Sequence, residues 1–154
     1  MILMTSRGQS RINKKEIQKK INNTISFLLK NEYPVDEVQA QELIDYFSGE
    51  APLGDTTTID DILDSKWLLI HEIIEIAELK KMGFQISVQL LYNHPIEVSQ
   101  AHLKATKYEL NFASEANDSS WVKSRLVHVR SWLEATTLPN ELLDQCQQIL
   151  NRFS

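Results

Sequence analysis

Apolar residues recur along most of this chain every three to four positions, the period of a helix with one face turned to a core. Ile17, Ile21, Ile25, Leu28 and Leu29 trace such a face up to Lys30, and Asn13 with Glu16 three residues later has the spacing of an N-cap and its return partner. After the break at Asn31-Glu32-Tyr33-Pro34, a second helix runs to Ser48 with Val38, Leu43, Ile44 and Phe47 inward and Gly49 as its stop. The stretch GEAPLGDTT over residues 49–57 concentrates glycine, proline and acid, and reads as the first long loop. Thr58 with Asp61 then opens the next helix.

That helix, expected to run unbroken from Asp60 to Met82 and to stop at Gly83, has a different pattern. At ~100° per residue, Asp60, Asp64, His71, Glu75 and Glu78 share a sector of about 60°, while Ile62, Leu63, Trp67, Leu69, Ile70, Ile73, Ile74, Ile76 and Ala77 cover much of the rest. A helix apolar on most sides belongs in the middle of its fold. Its acidic line then faces a cleft or a thin solvated seam, because a carboxylate is costly to bury without a partner, a metal or a proton.

Phe84 to Tyr92 alternates like a strand, but a lone strand has nothing to pair with, so a short helix capped by Ser87 is expected. Pro95 suits the first position of the next helix, whose stripe of Val98, Ala101, Ala105, Tyr108, Phe112 and Ala116 implies close packing. Asn117-Asp118-Ser119-Ser120 interrupts the period, which Val122, Leu126, Val129 and Leu133 resume. A last helix follows Pro139 with Leu142, Leu143, Cys146, Ile149, Leu150 and Phe153 inward. The pattern predicts an all-α, single-domain antiparallel bundle of five to seven helices over residues 13–154, behind a flexible N-terminus at 1–12.

Composition narrows the class. The 154 residues are 42% hydrophobic and 24% charged, ordinary for one globular domain. No apolar run approaches the ~20 residues of a membrane span and none resembles a signal core, so a cytoplasmic protein is expected. Cys146, the single cysteine, excludes a disulfide within one chain and a multi-cysteine zinc site, and its position on an apolar face makes it a core residue. The net charge of −5 divides unevenly: residues 1–31 hold seven basic side chains against Glu16, and residues 32–78 hold thirteen acids against Lys66. An acidic middle makes nucleic acid an improbable partner. The basic first helix is expected to be a solvated face leaning on the acidic segment.

The candidate chemistry centres on the 60–82 helix. His71-Glu72-x-x-Glu75 lacks the second histidine of the zinc-protease pattern HExxH, yet His71, Glu75 and Glu78 share a face and can offer a divalent ion one imidazole and two carboxylates. Facing helices would supply the rest, and Glu115 with Asp118 is the second carboxylate pair. Glu72-x-x-Glu75 and Glu115-x-x-Asp118 together resemble the paired ExxE and ExxD motifs of the all-α nucleotide pyrophosphatases of the MazG type. That resemblance covers four residues, at a wider separation than the family's, and implies magnesium held between helices for nucleoside triphosphate hydrolysis. The His-Asp dipeptide of HD-type phosphohydrolases is absent, with only His71-Glu72 near it. His94 is expected in a loop and His102 as a packed or half-exposed group.

Trp121, Arg125, His128 and Trp132 form a row at i, i+4, i+7 and i+11 that suits stacking and phosphate capture, or a contact with a partner or second copy. Two readings follow. One is a hydrolase-like site for a nucleotide or phosphorylated small molecule: Mg or Mn, less readily Zn, on His71, Glu75, Glu78, Glu115 and Asp118, with Glu72 and Arg125 as the catalytic pair. The other is a non-catalytic helical module or homo-oligomer acting through the 121–132 edge.

Overall fold

The computed structural model describes residues 9–48, 57–134 and 138–154, so residues 1–8 of the expected flexible N-terminus and nearly all of the 49–57 loop lie outside the described residues. Helices take up 76% of the described residues, and no strand occurs among them. The eight are α1 (Lys14–Lys30), α2 (Ala40–Ser48), α3 (Ile59–Leu63), α4 (Lys66–Lys81), α5 (Leu90–Asn93), α6 (Pro95–Glu115), α7 (Ser119–Glu134) and α8 (Asn140–Phe153). None of them is long and apolar enough to cross a membrane.

Local signals set several boundaries. The Asn13 side chain accepts from the Glu16 amide, Thr58 and Asp61 form a reciprocal capping box, and Pro95 opens α6. Helices α1, α4 and α6 end alike. In each, a residue at positive φ (Glu32 at 64°, Gly83 at 96°, Asn117 at 62°) carries the turn. The next amide reaches back five residues, from Tyr33 to Leu28, Phe84 to Leu79 and Asp118 to Ala113, so carbonyls orphaned at the helix end regain a partner.

The 60–82 helix is not continuous. Asp64 closes α3, and Ser65, in extended conformation at φ −122° and ψ 122°, accepts from the Leu68 amide and starts α4 afresh. Apolar periodicity passes through this break because α3 and α4 both bury their faces in the same core. The second helix is also shorter than expected. Residues 33–39 are non-helical, with Val35 and Val38 buried, and α2 begins only at Ala40. Between Gly83 and Leu90 the chain is irregular, so helix covers only the end of the stretch expected to be one.

From Leu69 to Leu79 every residue of α4 is buried, which makes it the axis of the bundle. Helix α6 packs along it, α1, α2 and α3 cover its other sides, and α7 and α8 pack on α6 and on each other. The contacts of α4 with α6 descend in number as α4 ascends, His71 meeting Glu109 and Glu75 meeting His102, so the two run antiparallel. Ala101, Ala105 and Ala113 are fully buried, and their small side chains let the helices approach closely.

Truncating the axis should therefore be costly. Ile73→Ala or Ile74→Ala, both at positions with 0% exposure, should destabilise the fold by about 2–5 kcal/mol in chemical denaturation, through lost transfer energy plus a cavity. A cost below about 0.5 kcal/mol at both would mean that α4 is peripheral.

Candidate metal centre

The close packing of α4 on α6 sets three potential ligands at one point. His71 and Glu75 lie one turn apart on α4, and His102 projects from α6. His71 Nε2 is 3.1 Å from Glu75 Oε1 and 3.1 Å from His102 Nδ1, and His102 Nδ1 is 2.8 Å from the same carboxylate oxygen. The residues are only 1%, 1% and 8% exposed. Two imidazole nitrogens and one carboxylate oxygen thus form a compact triangle that could hold a metal ion.

The far side of each α4 ligand is fixed by another group. Glu109 Oε1 accepts from His71 Nδ1 at 2.8 Å, which aims the opposite nitrogen, Nε2, into the triangle. Glu109 is itself fully buried, and its oxygens accept from Trp121 Nε1 at 2.6 Å and Arg125 Nε at 2.8 Å, with Arg125 Nη2 at 3.1 Å completing a two-pronged contact. The Tyr46 hydroxyl donates to Glu75 Oε2, leaving Oε1 to the triangle. The ring of Trp132 stands edge-on to His102 with centroids 4.6 Å apart.

Burial disfavours charge throughout this cluster, and the pairing decides which groups keep theirs. For His71, burial opposes protonation, but hydrogen bonds to Glu109 and Glu75 and the nearby Glu72 lift its pKa to about 10. Burial likewise opposes ionisation of Glu75, and the two histidines overcome it, holding this carboxyl well below its usual range. Glu109 is lowered against its burial by His71 and Arg125. His102 is pushed down by burial and by positive His71 and Arg125, against the pull of Glu75. The raised His71 and the lowered His102 make His71 the more readily charged of the two imidazoles that face Glu75 Oε1.

The residues singled out by sequence separate into groups. His71 and Glu75 are central, and Glu72 is buried beside them with Oε1 4.0 Å from His71 Nε2. Glu78 lies outside the triangle. It accepts from Tyr33 at 2.5 Å and Lys104 at 2.9 Å, with Lys81 at 3.4 Å, and these partners hold its pKa low against the desolvation. Glu115 is exposed at the end of α6, and Asp118 caps α7 through the Trp121 amide while accepting from Trp67 Nε1 at 2.8 Å. Asp60 and Asp64 are drawn off to Arg11 and Ser10, so the acidic line divides at the α3–α4 break. In the tryptophan row, Trp121 and Arg125 grip Glu109, Trp132 backs His102, and His128 is exposed.

Sequence reasoning missed His102, read as a packed group, and did not single out Glu109. They lie seven residues apart on α6, two turns on one face, with fully buried Thr106 between them. That polar row inside an apolar stripe was the available signal. No family model, curated protein or solved structure matches the chain, so geometry carries the functional reading.

The shifts give the metal-free protein a defined pH profile. His71, raised from 6.5 to about 10, contributes stability that is fully present below pH 6.5 and lost as pH rises through 10. The depressed carboxylates Glu75, Glu78 and Glu109 contribute stability present above 4.5 and lost as pH falls below it. His102, lowered from 6.5 chiefly by burial, adds stability that is lost as pH falls below 6.5, so urea denaturation across pH in the presence of a chelator should show a maximum near pH 6.5 with falls on both sides, steeper below 4.5. Stability that climbs from pH 7 to 10 would contradict a charged His71.

Proposed function

We propose that the protein is a divalent-metal-dependent hydrolase whose ion is held by His71 Nε2, Glu75 Oε1 and His102 Nδ1. The observation that carries this reading is the triangle with its outer supports. Ligands about 2.1 Å from an ion and at right angles to one another lie about 3.0 Å apart, against about 3.4 Å for a tetrahedron. The observed separations of 2.8 to 3.1 Å match the first. Two imidazoles and a carboxylate on one face of an ion form the donor set of catalytic sites that keep other positions open. The carboxylate on the outer nitrogen of His71 is the usual companion of a ligating histidine.

The donor set moves the choice of ion from magnesium, which prefers oxygen, toward manganese, iron, zinc and their neighbours. Such an ion supplies Lewis-acid activation of water. The chain's own residues do the rest. Glu72, buried beside His71, would be the base that takes a proton from such a water. Glu109 keeps Nδ1 of His71 protonated and its ring oriented, and Arg125 acts as a positioning residue for Glu109 rather than a phosphate ligand. Tyr46 fixes the rotation of the Glu75 carboxylate. An interaction role for the 121–132 edge finds less support, because Trp121, Arg125 and Trp132 are turned toward α6 within one copy of the chain.

Thermal-shift titration of chelator-treated protein with Mn²⁺, Zn²⁺, Ni²⁺ and Mg²⁺ tests the site. At least one transition ion should raise Tm, since a ligand that binds only the folded state stabilises it. Glu75→Gln and His102→Ala should abolish the shift, and Glu115→Gln should retain it. Affinity should rise about tenfold per pH unit below the His71 pKa, because His71 must release its Nε2 proton to bind. Glu72→Gln should keep the metal and lower metal-dependent hydrolysis of a phosphoester such as bis(p-nitrophenyl) phosphate by about 100-fold or more. No shift with any ion would overturn the metal site, and hydrolysis unaffected in Glu72→Gln would remove that residue as the base.

A further inference from the structure

A cleft of about 600 Å³ lies between the C-terminal part of α4, the middle of α6 and α8, within the size range of small-molecule sites. Its walls reverse the sign of the protein. Lys104, Lys107 and Arg152 line it with Gln100, Gln145 and Gln148, and Glu78 is the only acid among the lining residues. The chain as a whole carries −5. Glu78 accepts from Tyr33 and pairs with Lys81 and Lys104, so Lys104 is spent largely on Glu78 and the excess positive charge of the cleft is that of Lys107 and Arg152. Among the described residues, neither Lys107 nor Arg152 forms an ion pair; the Arg152 guanidinium lies over the Phe153 ring, 5.3 Å from its centroid, a contact that leaves its N–H edge able to meet an anion. Buried Leu103 and Ile149 form part of an apolar floor beneath these polar walls.

We infer that this cleft binds a soluble, phosphorylated small molecule. Cations on two helices face the cleft, Arg152 of α8 offering a planar fork and Lys107 of α6 a point charge. The glutamine carboxamides can donate to phosphate oxygens or pair with hydroxyls, and the floor accommodates a carbon skeleton or base. A cationic concavity on an acidic protein also concentrates anions that the rest of the surface repels. The cleft adjoins the metal centre through the chain: Glu78 is one turn beyond Glu75, and Leu103 follows His102. Binding stands without the ion, whereas the role of this ligand as the hydrolysed substrate rests on the metal reading.

The test is isothermal titration of the full chain with inorganic pyrophosphate and with ADP, in EDTA so that the outcome does not depend on the metal centre. Saturable binding is expected. It should weaken tenfold or more in the double variant Lys107→Gln/Arg152→Gln, and should be unchanged in Lys123→Gln/Arg130→Gln, an equal loss of two charges at exposed positions of α7. Co-sedimentation with phosphatidylcholine vesicles containing phosphatidic acid separates a lipid headgroup from a free phosphate, and no binding is expected there. Absence of saturable binding to both probes would overturn the inference while leaving the metal titration untouched. Equal weakening in Lys123→Gln/Arg130→Gln would do so by showing only general charge attraction, and vesicle binding stronger than binding of the free anions would do so by moving the ligand to a membrane.

Discussion

Removing a carboxylate from water costs several kcal/mol unless a partner meets it, and of the four glutamates buried on α4 and α6, Glu75 and Glu109 lie deepest. They are 1% and 0% exposed, on helices that share one continuous apolar core. Their burial is tolerable because His71 bridges them, His102 and Tyr46 meet Glu75, and Arg125 and Trp121 meet Glu109. These contacts recruit α2, α4, α6 and α7 to one point. The arrangement of the bundle around its axis is therefore also the arrangement of the site.

The helix ends bring up further parts. The positive-φ turn at Glu32 after α1 delivers Tyr33 to Glu78, and the turn at Asn117 after α6 delivers Asp118 to Trp67 at the start of α4. Both use the same backbone device, in which a left-handed residue satisfies orphan carbonyls and reverses the chain. Within the triangle, a divalent ion would meet the same electrostatic need as a proton on His71, since each would place positive charge beside Glu75 and Glu109. Exchange of a proton for an ion links the chemistry of the site to pH.

Much of the fold was legible because it depends on period and capping. The centrality of α4 followed from its apolar surround, and Asn13, Thr58 and Pro95 marked helix starts that the structure places where expected. The break at Asp64-Ser65 was not legible, since a serine cap inside a continuing apolar pattern leaves the hydrophobic period intact. At the site, His71 and Glu75 were readable as an i, i+4 pair on one helix. Their meeting with His102 and Glu109 depends on the register between α4 and α6, which a single sequence does not encode in any local spacing. Arg125 stood out by its chemistry, yet its partner, Glu109, lies sixteen residues away on another helix.

The central claim is that His71, Glu75 and His102 converge on an ion rather than merely on each other. Anomalous X-ray diffraction from crystals of the protein soaked in Mn²⁺, collected near the manganese edge, addresses it directly. The account predicts one strong anomalous peak about 2.0–2.2 Å from His71 Nε2, Glu75 Oε1 and His102 Nδ1, with Glu109 still bonded to His71 Nδ1. Crystals in which the three side chains keep their mutual hydrogen bonds and no anomalous density lies among them, after soaking with manganese and then with zinc, would contradict it.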